Sequence, residues 1–162
     1  MKLTIACIGR ANRGPERDLY EHYAGRIRWP LALRELEEKR KLPTAQMILR
    51  EGELLLGAVP AKSVLVALDR RGTVLDSEGF ARRLERWRDD SVNDVAFLIG
   101  GADGHGEPLL KKAALILSFG AMTWPTCWPA PCWPSRFIAR SSFWPDTLTI
   151  GREIMMSILP LF

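Results

Sequence analysis

SVLVAL, residues 63–68, is apolar at every position after the first. A strand with one wet face alternates apolar and polar residues, so this run predicts a central parallel strand covered on both faces. DVAFLI, residues 94–99, repeats the pattern and ends directly in Gly100 and Gly101. Between the two, Asp69 to Gly72 reads as a turn that ends the first strand. Ser77 is a suitable N-cap for a helix with Phe80, Leu84 and Trp87 inward and Arg82, Arg83, Glu85, Arg86 and Arg88 on the wet side. Towards the amino terminus, Lys2 to Gly9 reads as a buried strand. From Glu16, the apolar positions Leu19, Tyr23 and Ile27 recur at helical spacing until Trp29 and Pro30 stop them. Leu31, Leu33 and Glu35 to Glu37 alternate as a strand with one wet face. Ala45 to Leu56, with Met47, Ile48, Leu54 and Leu55 inward, predicts a helix that Gly57 ends. On the other side, Glu107 to Leu115 predicts a helix with Pro108 in its first turn, and Ile116 to Phe119 a fifth strand. Strands alternating with helices define an α/β fold with a parallel sheet and right-handed crossovers.

The composition sets the class. A chain of 162 residues, 47% hydrophobic and 26% charged, supports one globular core rather than two. No run of eighteen apolar residues occurs, and residues 1–9 do not form a secretion signal, so membrane and secreted settings are not expected. Cys7, Cys127 and Cys132 are an odd set without metal spacing, which fits a reduced cytoplasmic setting. The net charge of +4 permits an RNA partner without requiring one.

GGADG, with Gly100, Gly101, Asp103 and Gly104, follows a strand and precedes a helix. Small residues there let backbone N–H groups approach a ligand at the carboxyl end of the sheet, or serve as a tight connection only. The spacing is not G-x-G-x-x-G and no P-loop occurs, which argues against nicotinamide and nucleoside triphosphate chemistry. His22 lies near the polar side of the first helix and His105 in the glycine loop, where it could serve as a general base. Neither has an acid or cysteine at ligand spacing, and no metal site is expected.

Five stretches taken in order carry a resemblance. MKLTIACIG (1–9), SVLVALD (63–69), LERW (84–87), FLIGGADG (97–104) and LSFGAMTWP (117–125) resemble the RlmH family, SPOUT-class pseudouridine N3-methyltransferases of 23S rRNA. The resemblance covers residues 1–125. It implies a SPOUT-type α/β knot, with the carboxyl-terminal helix threaded through a loop, and a homodimer that binds S-adenosylmethionine and methylates 23S rRNA in the assembled ribosome. Carried over by position, Leu68, Gly100, Gly120, Ala121, Met122, Thr123, Trp124 and Pro125 would contact the cofactor. The resemblance names no catalytic residue.

Residues 126–162 break this pattern. They hold three of the six tryptophans and five of the eleven prolines, with Trp-Pro pairs at 128, 133 and 144, and no regular helix can run through them. The family ending, a leucine-rich helix with an E-Q-x-Y-R-A type stretch and a closing H-P-Y-H-R-E, is missing. Regrouping each triplet from the last base of one codon and the first two of the next forces Cys127-Trp128-Pro129, Cys132-Trp133-Pro134 and Phe143-Trp144-Pro145 to encode Leu-Ala. With permitted codon choices the line after Pro125 becomes H-M-L-A-R-A-L-L-A-E-Q-V-Y-R-A, two undetermined residues, then L-L-A-G-H-P-Y-H-R. The reading is therefore a methyltransferase domain over 1–125 and a tail over 126–162 that is out of frame. Two alternatives stay open: a non-catalytic α/β module that binds RNA through its basic helix, and a frameshifted product without function.

Overall fold

The computed structural model describes residues 1–10 and 14–120. Ala121 to Pro125 and the whole of the 126–162 tail lie outside the described residues. Five strands, β1 (Lys2–Ile8), β2 (Leu31–Leu36), β3 (Val64–Val74), β4 (Asp94–Ile99) and β5 (Leu115–Ser118), alternate with four helices. The helices are α1 (Pro15–Ala24), α2 (Thr44–Gly57), α3 (Ser77–Asp89) and α4 (Glu107–Leu110). All strand pairs are parallel, in the order β2-β1-β4-β3-β5, so the two runs that define the fold lie side by side inside the sheet.

The pleat divides the core in two. Leu3, Ile5 and Cys7 of β1 point to one face with Val66 of β3 and Val95, Phe97 and Ile99 of β4. Tyr20 of α1 and Phe80, Leu84 and Trp87 of α3 cover that face. Ala6, Ile8, Ala67, Ala96 and Leu98 point to the other face, where Leu55 of α2 and Leu109 of α4 cover them. Two faces covered by helices explain why the central strands read as unbroken apolar runs.

Four details differ from the sequence reading. Asp76, not Ser77, caps α3, its Oδ1 accepting the Gly79 N–H at 2.6 Å. In α1, Tyr20 is buried and Leu19 is 45% exposed, so the inward stripe is Tyr20, Ala24 and Ile27, and the helix stops at Ala24. Asp69 to Gly72 does not end β3. Both Leu68 and Thr73 register against Leu117, so the four residues between them bulge out and the strand resumes through Val74. The helix expected over 107–115 has one turn only, because the Ala114 N–H bonds to Leu65 O at 2.9 Å and draws the chain into the sheet at Leu115.

Glu38, just past β2, ties that edge to α2. Its carboxylate accepts from Arg40 N, Nε and Nη2 at 3.0 to 3.1 Å and from Arg50 Nε at 3.1 Å. The Arg40 hydrogen bonds hold its pKa down at about 2, against an ordinary 4.5. A carboxyl depressed in the fold contributes stability that is fully present above the unfolded value and is lost as pH falls towards the folded one. Glu38→Gln is therefore expected to lose less of its urea midpoint than the parent between neutral pH and about pH 2, and equal losses would refute this.

Candidate cofactor site at the carboxyl edge

All five strands run in one direction, so their carboxyl ends share one edge, where open α/β sheets bind ligands. Leu68 is in register with Ile99 on β4 and with Leu117 on β5. Gly100 follows Ile99 directly, and Gly120 lies three residues past Leu117. The three described positions among the expected cofactor contacts thus fall on adjacent strands, Gly100 just past the end of β4, Leu68 just before the bulge of β3 and Gly120 just past the end of β5.

Each is held from behind. Gly100 is buried, and a Cβ there would lie 3.0 Å from Gly104 O and 3.2 Å from His105 Cε1. The Gly104 N–H returns to Gly101 O at 3.1 Å, and Gly104 has φ +77, a left-handed conformation that glycine adopts freely. His105, 6% exposed, does not face the open edge as a base would. Its Nε2 lies 3.2 Å from Leu98 O, and it also bonds to the Leu68 carbonyl, so the ring links the end of β4 to β3 just before its bulge. Burial pushes its pKa below the ordinary 6.5. At neutral pH the imidazole is an uncharged structural link. His22 is exposed on α1, its ring edge-on to Tyr23.

The bulge forms the next wall. Asp69, with a side chain only 6% exposed, accepts from Arg71 N and Nε at 2.9 Å, and the arginine hydrogen bonds hold its carboxyl below the usual range. Arg71 Nη2 also donates to His105 O at 3.3 Å, joining the bulge to the glycine loop. On the β5 side, Ser118 Oγ accepts the Gly120 N–H at 3.1 Å and can donate its own hydrogen to Arg70 O at 3.3 Å. Gly120 has φ +120, and a Cβ there would meet nothing within 4 Å. Its Cβ side is therefore open among the described residues.

Around the expected contacts Leu68, Gly100 and Gly120 stand neighbours that the sequence reading did not name as supports: Asp69, Arg71, Ser118 and Glu51 of α2, whose carboxylate oxygens lie 2.7 Å from the Cβ position of Gly101. Asp69 with Arg71 two residues on was a visible local pair. Nothing in the sequence joined Glu51 of α2 to the loop at Gly101, 50 residues away. What the edge offers is main-chain groups, small residues and few net charges. Such a surface suits a cofactor that carries its own reactive group and needs to be held in place. Among the described residues, no group of three or more His, Cys, Asp or Glu could hold a metal ion, and no helix is long and apolar enough to cross a membrane.

Comparison with known proteins gives the following. The sequence model of the family described as "Predicted SPOUT methyltransferase" matches residues 1–127. Ribosomal RNA large subunit methyltransferase H of Rhodospirillum centenum is 52% identical over 125 residues, which are 77% of this chain and 82% of that protein. The protein of the same name from Paramagnetospirillum magneticum is also 52% identical over 125 residues, with the same coverage of 77% and 82%. That of Rhodospirillum rubrum is 49% identical over 125 residues, again 77% and 82%. A solved Legionella pneumophila protein with bound S-adenosylmethionine aligns over 86% of this chain and 66% of its own, at a TM-score of 0.46 and 14% identity.

Proposed function

Since this chain belongs to the SPOUT methyltransferase family, we propose that it takes a methyl group from S-adenosylmethionine and places it on ribosomal RNA of the large subunit, at N3 of a pseudouridine in 23S rRNA. The observation that carries the reading is the placement of Leu68, Gly100 and Gly120 on three adjacent strands, Leu68 where β3 begins to bulge and the two glycines just past the ends of β4 and β5. The cofactor fits this edge because its sulfonium supplies the reactive methyl, while small residues and main-chain groups hold its adenine and methionine parts. Leu68 offers an apolar wall, Gly100 and Gly120 offer backbone, and Ala121, Met122, Thr123, Trp124 and Pro125 complete the binding segment. The remaining task of the protein is to align the acceptor nitrogen with the methyl and to exclude water. The enzyme acts as a homodimer in the cytoplasm, on the assembled ribosome.

The second part of the proposal concerns residues 126–162, which we read as the family ending translated out of frame from a point near the codons for Pro125 and Thr126. The lengths support it. In the first relative, 125 matched residues are 82% of the protein, so about 27 of its residues have no counterpart in this chain. The regrouped codons from His to Arg supply 26 residues, two of them undetermined. Sequencing the gene across these codons tests the frame directly, and an unbroken frame whose codons cannot yield the family ending would sink it.

Titrating S-adenosylmethionine into the 162-residue chain and into the frame-restored protein tests both parts. The restored protein is expected to bind, and the 162-residue chain to bind at least ~100-fold more weakly, about 2.7 kcal/mol. Equal binding would mean that residues 1–125 suffice and that the tail does no harm. No binding by either protein would overturn the methyltransferase reading. Salt-dependent RNA binding without cofactor binding would instead favour the non-catalytic module.

A further inference from the structure

Glu51 is the one carboxylate of α2 that reaches the glycine loop. Its oxygens lie 2.7 Å from where a Cβ on Gly101 would stand, and the Gly101 N–H donates to it. The same helix supports the rest of the connection between β4 and α4. Ile48 Cγ2 and Leu49 Cδ2 lie 3.1 and 3.7 Å from the Cβ position of Gly106, and Leu109 Cβ lies 3.7 Å from that of Gly52. The apolar contacts set the distance between helix and loop. The hydrogen bond fixes which way the Gly101 peptide points, one residue beyond Gly100.

The charge makes this contact unusual. Glu38 and Asp69 are each neutralised by arginine, whereas Glu51 forms no ion pair among the described residues and has the like charge of Asp103 as an electrostatic neighbour. A half-buried carboxylate without a counter-ion is costly, and a charge-assisted bond to a backbone N–H is what offsets that cost here. The absence of a side chain at Gly101 is what lets the carboxylate come so close.

We propose that Glu51 is a positioning residue for the cofactor, holding the Gly100–Gly104 loop in its binding shape through the Gly101 N–H without touching the substrate. This rests on the reading of the carboxyl edge as the S-adenosylmethionine site. Alanine at 51 frees the loop. Glutamine keeps an acceptor oxygen for the same N–H and so keeps the shape.

The test has two arms. In the 162-residue chain, Glu51→Ala is expected to speed amide hydrogen exchange at Gly101 by about tenfold, the loss of one hydrogen bond to a charged group, with Glu51→Gln close to the parent. In the frame-restored protein, Glu51→Ala is expected to raise the KM for S-adenosylmethionine by about tenfold with kcat little changed, and Glu51→Gln to restore it. Parental exchange at Gly101 in Glu51→Ala, or a fall in kcat at unchanged KM, would overturn the role of Glu51. Absence of S-adenosylmethionine binding by the unsubstituted frame-restored protein would overturn the site reading instead, and the exchange arm separates the two failures.

Discussion

Phe97→Ala is expected to lower the unfolding free energy by about 3–5 kcal/mol, the cost of removing a large aromatic ring from a core that cannot collapse around the space. Phe97 is fully buried at the middle of β4, registered against Ile5 of β1 on one side and Val66 of β3 on the other. Its ring lies 6.3 Å from that of Phe80 on α3, tilted at 59°, so the substitution loses an aromatic pair as well as area. Domains of this size are stable by roughly 5–15 kcal/mol in total, and a loss of that order leaves little reserve. Urea unfolding followed by far-ultraviolet circular dichroism measures it. Leu19→Ala, at a position 45% exposed, is the control and should stay within about 0.5 kcal/mol of the parent. A Phe97→Ala midpoint equal to that of the control would mean that β4 is not the centre of the core.

Gly72→Ala tests the bulge with a single methyl group. A Cβ there would stand 2.6 Å from Ile116 O and 2.7 Å from its carbonyl carbon, and both belong to the backbone of β5. No rotamer relieves that overlap, so β3 and β5 must move apart, at a cost of about 1–3 kcal/mol. The movement reaches further than the strand pair. Arg70 O lies within reach of Ser118 Oγ, which accepts the Gly120 N–H, and Arg71 holds His105 O, so the bulge is tied to both loops of the proposed cofactor edge. The frame-restored Gly72→Ala protein should accordingly lose S-adenosylmethionine affinity beyond what its stability loss explains. Parental affinity and a parental urea midpoint together would refute the argument.

The parallel sheet was readable because SVLVAL and DVAFLI are apolar at every position after the first, and only coverage on both faces explains such runs. What misled the reading was local grammar overruled by distant partners. Asp69 and Gly72 are turn residues by every local rule, yet pairing with Leu117 and Ser118 carries β3 past them. Leu109, Leu110 and Ala113 keep helical spacing, yet the bond from Ala114 to Leu65 ends α4 after one turn. Leu19 fits the periodicity of α1, but the helix is rotated so that Tyr20 takes the buried place. For the candidate site, GGADG stood out as a small-residue turn between strand and helix, whereas the roles of Leu68, Gly100 and Gly120 came from the resemblance. Glu51 and Ser118 did not stand out, since a glutamate on a helix and a serine at a strand end look the same whether or not they hold a loop.

The strand order also sets a timetable. β4 lies between β1 and β3 although it is the fourth strand made, and Lys2 finds its partner only at Asp94. At roughly 5–20 residues per second, β1 emerges about 5–20 s before the strand that pairs with it on its inner side. During that interval β1 can pair with β2, but β3 has no neighbour at all, because its partners β4 and β5 both come later. The nascent chain thus carries two unjoined pieces with apolar edges open, and a single six-residue strand locks them into one sheet. Substitutions in DVAFLI should for that reason lower the yield of folded protein during synthesis more than their equilibrium cost alone would predict.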